Sequence, residues 1–347
     1  MVGLLCLTFF ITAILVFLEK YLGKYKWYVW VTMGTILVLM ATFKVIGNDD
    51  DSEAYERMYF HYDDIFIEKT VEPSFRLLAE FLNPYFHDVH IIFFIYAVIG
   101  ITLKFVAIAR LSPVLFLPLL VFLGHFFNIH DMIEIRASVA IAILFFAIKP
   151  ICEKKYLLSA GIILLATFIH YSALVAMPLL LFSNETLSKR WKIALASIVP
   201  LGYILFFLNI DVISMLRVPV VGDKLEVYKL LKDYGLIDQI LIWKNPLLLI
   251  KILCFYALLY YSDVIVEKNK YFPFLMKVEG MAFASFFFFA GLPVLSGRLY
   301  ELYGAVDILL IWNIIYIFRP RWVGKLILTL LCCITFFFDI FIYNLLR

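Results

Sequence analysis

Arg136, His170 and Arg298 each stand near the end of an apolar segment, and a polar stretch between two such segments carries Asp49, Asp50, Asp51 and Glu72. A guanidinium binds phosphate oxygens through two parallel donors and stays charged in apolar surroundings. An imidazole titrates near neutral pH, so it moves protons or hydrogen-bonds a phosphate or sugar. A carboxylate caps a helix, holds a sugar hydroxyl or accepts a proton as general base. Together these groups suit a ligand with an anionic head group and a hydroxyl-rich part. Each also has a plainer role. Arg136 has Asp131 and Glu134 nearby in sequence, so it can snorkel to head groups or pair with Glu134; a lone histidine in a bundle is often a satisfied interhelical donor.

The elements that must position these groups are membrane helices. The chain has 347 residues, of which 64% are hydrophobic. Apolar stretches of about 17–22 residues recur along it, each long enough to cross a bilayer core. Spans are expected near 2–18, 28–46, 89–108, 113–128, 134–149, 156–170, 171–183, 192–209, 246–263, 274–294, 299–317 and 325–345. The chain is therefore read as an all-α polytopic membrane protein of about 12 transmembrane helices, a single integral membrane domain over 1–347. Runs such as IIFFIYAVIGITL do not alternate, which excludes a membrane β-barrel. The run 156–183 is too long for one span and short for two, and His170-Tyr171 at its middle predicts a turn or broken helix. The segment Val2–Leu18 has no basic region ahead of it and reads as a retained helix.

Short loops set the orientation. Those after alternate spans carry Lys20, Lys24, Lys26, Arg110, Lys149, Lys154, Lys155, Arg319 and Arg321, which the positive-inside rule places in the cytoplasm. The two long loops, about 47–88 and 210–245, then face outward. Phe75, Leu78, Ala79 and Leu82 in the first, and Val227, Leu230, Leu231 and Tyr234 in the second, recur at helical spacing, as in amphipathic helices at a membrane surface. Gly291, Pro293 and Gly297 predict a helix break before Arg298, where freed backbone N–H groups bind anions. A net charge of +3 gives no support to nucleic-acid binding, and Cys6, Cys152, Cys254, Cys332 and Cys333 show no metal spacing. No internal repeat is visible, so a transporter built from two similar halves gains no support.

In order along the chain, GNDDDSEAY, EPSFRLLAEFL, EIRASVAIAILFFAI, LLATFIHYSALVAMPLLL and SGRLYELY resemble the signatures of the EpsG family of Wzy-type polysaccharide polymerases, over about 47–303. The resemblance implies a bacterial inner-membrane, GT-C-like enzyme. It would join oligosaccharide repeat units carried on undecaprenyl pyrophosphate, for an O-antigen, capsule or exopolysaccharide. The family's arginines fall on Arg136 and Arg298, its histidine on His170, its acidic motif on the region Asp49–Tyr55 and its Glu-Pro on Glu72. Glu134, Tyr171 and Tyr300, beside or within these motifs, complete the candidates. The family's usual glutamine after the first arginine is Ala137 here, and among the three aspartates Asp51 has the cleaner spacing to Tyr55.

The expected mechanism is glycosyl transfer at the outer, periplasmic face, inverting or retaining. Arg136 and Arg298 would hold the leaving pyrophosphate in place of a metal ion, with no cofactor. His170 would hydrogen-bond the pyrophosphate or donor sugar, and Asp51 or Glu72 would accept the proton of the acceptor hydroxyl. The partners are the lipid-linked donor and acceptor glycans, membrane lipids and a chain-length regulator. The competing readings are a glycan ligase on the same carrier and a non-enzymatic transporter of lipid-linked glycan.

Overall fold

The computed structural model describes residues 1–49, 51–65, 67, 71–208, 210, 245–290 and 292–346. Among them all regular structure is helical. Among the described residues, five helices are long and apolar enough by themselves to cross a membrane: His90–Leu111, Ile135–Cys152, Lys189–Phe207, Pro293–Tyr316 and Arg321–Ile342. The chain divides into two compact units, Met1–Ser183 with Asp307–Arg347, and Asn184–Val306.

In the first unit, α1 (Val2–Leu18) and α2 (Lys26–Thr42) are followed by two short helices of the first long loop, α3 (Ser52–Phe60) and α4 (Pro73–Leu82). Next come α5 (His90–Leu111), α6 (Phe116–Val121), which continues as a π-helix over Phe122–Asp131, then α7 (Ile135–Cys152) and α8 (Tyr156–Ile169). A 3-10 segment, Tyr171–Leu181, ends this part. After the second unit the chain returns as α14 (Asp307–Leu310), a 3-10 turn over Ile311–Tyr316, and α15 (Arg321–Phe337), which ends in a π-helical turn.

Hydrogen bonds fix the two ends of this bundle. At one, Glu19 Oε1 accepts from the Leu115 N–H at 2.8 Å and Lys325 Nζ donates to Val16 O at 2.7 Å. At the other, Lys44 Nζ donates to Met132 O, His90 Nε2 lies 3.2 Å from Lys44 O, and Ser74 Oγ donates to Ile169 O at 3.4 Å. The second set gathers the end of α2, the start of α5, the turn before α7 and the end of α8. The loop lysines that set the orientation lie beyond the opposite helix ends.

The first long loop is more structured than its sequence implied. Helix α4 forms where the periodicity predicts it. Pro73 at its first position is preorganised for a helix start, and Phe75, Ala79 and Leu82 are buried. Helix α3, not foreseen, buries Tyr55 and Tyr59. Both dock on α5 and the start of α7 in one apolar cluster with Phe93, Tyr96, Ile135 and Val139, so they cap the helix ends. The break expected within 156–183 is real. His170 has extended backbone (φ −149°, ψ 118°) between α8 and the 3-10 segment. The amphipathic helix expected at Val227, Leu230, Leu231 and Tyr234 lies outside the described residues.

The second unit comprises α9 (Lys189–Phe207), α10 (Pro246–Tyr260), α11 (Ser262–Val266), α12 (Phe272–Phe288) and α13 (Pro293–Gly304). Helices α9 and α12 approach closely at Gly280, where an added Cβ would lie 2.4 Å from Leu195. Tyr256 donates to Ala196 O at 2.7 Å, and Ser296 Oγ donates to Phe286 O at 2.8 Å. Phe286 and Phe287 are buried in this packing.

Candidate functional site

Three segments distant in sequence place one side chain each at the same bundle end. Glu72 stands at the N-cap position of α4, with extended backbone set by the following proline (φ −61°, ψ 145°). Its carboxylate makes no cap bond and is turned inward instead. The Arg136 guanidinium, in the first turn of α7, donates to Glu72 Oε2. On the other oxygen, Glu72 Oε1 lies 2.6 Å from His170 Nδ1. The glutamate side chain is 5% exposed, that of Arg136 16% and that of His170 18%, so the cluster is nearly closed but reachable through the arginine and histidine.

The electrostatics follow from this bridging. Burial works to raise the Glu72 carboxyl, but the His170 hydrogen bond and the Arg136 charge outweigh it and hold the group below its ordinary range. Glu72 is therefore an ionised acceptor with both oxygens engaged. The Arg136 guanidinium lies 5.3 Å from the centre of the Tyr55 ring and 5.9 Å from that of Phe75, and it shares a hydrogen bond with the Tyr55 side chain. Arg136 Nε is buried with no hydrogen-bond partner. Burial raises the Tyr55 hydroxyl, which stays protonated while its oxygen accepts from the guanidinium. Ser74, 3.5 Å from the Tyr96 hydroxyl, locks the start of α4 against α5 and α8.

The remaining candidates fall elsewhere. Asp49 is a structural group: its Oδ1 accepts from the Asp51 and Ser52 N–H groups, and its Oδ2 lies 3.3 Å from buried Lys44. Asp51 is at the N-cap position of α3, close enough to act electrostatically on Tyr55. Asp50 lies outside the described residues. Glu134 holds the N-cap position of α7, two residues before Arg136. Tyr171, next to His170, is 53% exposed.

Arg298 belongs to the second unit, where it is exposed. The helix break foreseen there precedes Leu292, but α13 restarts at Pro293, so Arg298 sits inside a helix and not at freed backbone N–H groups. Tyr300 is buried on the same helix, with Lys251 Nζ 4.4 Å from its ring centre.

Three buried lysines lie outside the candidate set, Lys44 at the end of α2, Lys104 within α5 and Lys277 within α12. Each sits in a largely apolar segment, and a cation in such a place is itself a signal that a partner exists.

Neither curated proteins nor solved structures returned a match to the chain. A family model does match, over residues 27–347, nearly the whole chain, including every residue of the Glu72–Arg136–His170 cluster. A helical membrane chain with this cluster at one bundle end thus belongs to the EpsG family, a family of Wzy-like polysaccharide polymerases.

Proposed function

We propose that the protein is a membrane glycosyltransferase that polymerises undecaprenyl-pyrophosphate-linked oligosaccharide repeat units. In this reading it is a multi-pass protein of the bacterial inner membrane, with about 12 spans and a GT-C-like architecture, and its active site faces the periplasm. One observation carries the proposal: Glu72 bridges Arg136 and His170 at the bundle end remote from the basic loops. The positive-inside rule supports the outward orientation of that end.

The acceptor is the terminal sugar hydroxyl of a single lipid-linked unit. Its oxygen attacks the anomeric carbon of the growing chain, and the bond from that carbon to the pyrophosphate oxygen breaks. Glu72 is already committed to two partners, so its role is orientation. By holding Nδ1 it fixes the imidazole and leaves Nε2 to take the hydroxyl proton, which moves the general base from a carboxylate to His170. Arg136 keeps donors beyond the one given to Glu72, including the unpartnered Nε, and these meet the developing pyrophosphate charge. Proton transfer to His170 adds a positive charge to a cluster in which Glu72 and Arg136 otherwise cancel, in step with the departure of an anion. Arg298 is a further anion-binding group of the proposal, to be tested by its own substitution. Asp51, at the N-cap position of α3, is the alternative base of this reading.

The decisive assay incubates purified protein with a lipid-linked repeat unit and resolves the products as a size ladder, with and without a chelator. A ladder unaffected by the chelator, and absent for Arg136→Ala, is the expected result. Normal ladders from Arg136→Ala would overturn the anion-binding role, and transfer of whole glycans to a different acceptor would identify a ligase.

A further inference from the structure

Below the site, Lys104 of α5 is fully buried and donates to Asp131 Oδ2 and to Ser138 Oγ, both at 2.6 Å. Ser138 Oγ in turn donates to Asp131 Oδ1 at 2.6 Å, which closes a three-membered ring of bonds. Asp131 ends the π-helix and Ser138 lies in the first turns of α7. Arg136 is therefore carried on a short segment pinned at both ends to one lysine.

The α5 surface is shaped for this contact. Gly100 lies one turn before Lys104, and a Cβ added there would stand 2.8 Å from Ser138 Oγ and 3.5 Å from Asp131 Oδ1. The pinned segment also follows directly on the π-helix, which ends at Asp131. The Met132 N–H reaches Phe127 O at 3.0 Å and the Glu134 N–H reaches Ile129 O at 2.8 Å, five-residue steps that end the wide π-helical winding just before α7. A buried ion pair is weak evidence for stability, since apolar residues of equal volume hold a bundle as well. What it adds is direction, because charged hydrogen bonds fix orientation where apolar contacts allow sliding.

We propose that Lys104, Asp131 and Ser138 are positioning residues for the transfer reaction. They set the direction in which Arg136 leaves α7 and so aim its guanidinium at the reacting pyrophosphate. The inference rests on Arg136 being the anion-binding group.

The test uses full-length purified protein, a lipid-linked repeat unit as substrate, and two variants. Lys104→Met/Asp131→Leu replaces the ion pair with apolar side chains and is expected to keep a monodisperse, heat-resistant protein. Ser138→Ala removes one hydroxyl and serves if the double variant fails to fold. Displacing a catalytic group by a fraction of its bond length lowers turnover far more than binding, so kcat should fall roughly tenfold while KM stays within about twofold. Combining Ser138→Ala with Arg136→Lys should cost little beyond Arg136→Lys alone, because both act through one group. Wild-type kcat in a folded variant, or a fully additive loss in the combined one, overturns the proposal. Unimpaired activity of Arg136→Ala would instead remove the reading of Arg136 on which it rests.

Discussion

Glu72 and His170, 98 residues apart in sequence, meet at 2.6 Å between Oε1 and Nδ1, and the second oxygen of the same carboxylate holds Arg136. One buried anion thus fixes an imidazole and a guanidinium at once. The helix start at Pro73 makes this possible, because it turns the preceding residue into extended backbone and sends its side chain away from the helix.

Glu72→Gln should separate orientation from charge. The amide oxygen still accepts a bond, but the ion pair with Arg136 is lost and the imidazole is no longer held by a carboxylate. Polymerisation should fall by about two orders of magnitude, a typical loss for removing support from a general base. His170→Ala should lose at least as much, and His170→Ala/Glu72→Gln little more than His170→Ala, since the two act as a unit. Initial rates of chain extension by purified variants measure this. Independent, multiplying losses would show that the residues do not cooperate.

The depressed Glu72 carboxyl also makes stability depend on pH. The folded protein binds this proton less readily than the unfolded chain does, whose ordinary value is 4.5. The contribution of ionised Glu72 is therefore complete above that value, and it is lost as pH falls through the lower folded one. Melting of detergent-solubilised protein from pH ~7 to pH ~3.5 should show wild type above Glu72→Gln, with the gap closing only at the acid end. A gap that closes on the alkaline side would contradict the assignment.

Arg136→Lys tests the geometry of the guanidinium as distinct from its charge. A lysine keeps the positive charge but not the fork, the stacking beside Tyr55 and Phe75, or the spare Nε donor. Membrane abundance should be normal while the product ladder shortens to single units or a trace of dimers. A full ladder would mean that a point charge suffices.

Local signals in the sequence were reliable where the chain answers to local forces. The spacing of Phe75, Ala79 and Leu82 located α4, and an apolar run of awkward length located the break at His170. Partners were not legible. Arg136 has Glu134 two residues away in sequence, but nothing local announces its bond to Glu72, 64 positions earlier, which the docking of α4 on α5 and α8 creates. Glycines and a proline marked a true break before α13, but Arg298 lies beyond it, inside the restarted helix. Lys44 and Lys104 were hidden for the opposite reason: apolar neighbours made their segments look like plain spans.

Lys44 offers the sharpest remaining test, since it joins the acidic loop to the turn that leads to Arg136. Its ammonium is buried between Asp49 and Met132 O, and lies 4.6 Å from the centre of the Phe93 ring. Lys44→Met would leave Asp49 as an uncompensated buried anion, which destabilises by about 3–5 kcal/mol. Asp49→Asn alone should be milder, because an asparagine at that position still accepts from the Asp51 and Ser52 N–H groups and starts α3. The pair Lys44→Met/Asp49→Asn should then recover much of the melting temperature lost in Lys44→Met, because the stranded charge is gone. Thermal melting of the three solubilised variants decides the matter. If Lys44→Met melted like wild type, Lys44 would not be holding the loop, and the support it gives to the Arg136 turn would have to come from the α4 contacts alone.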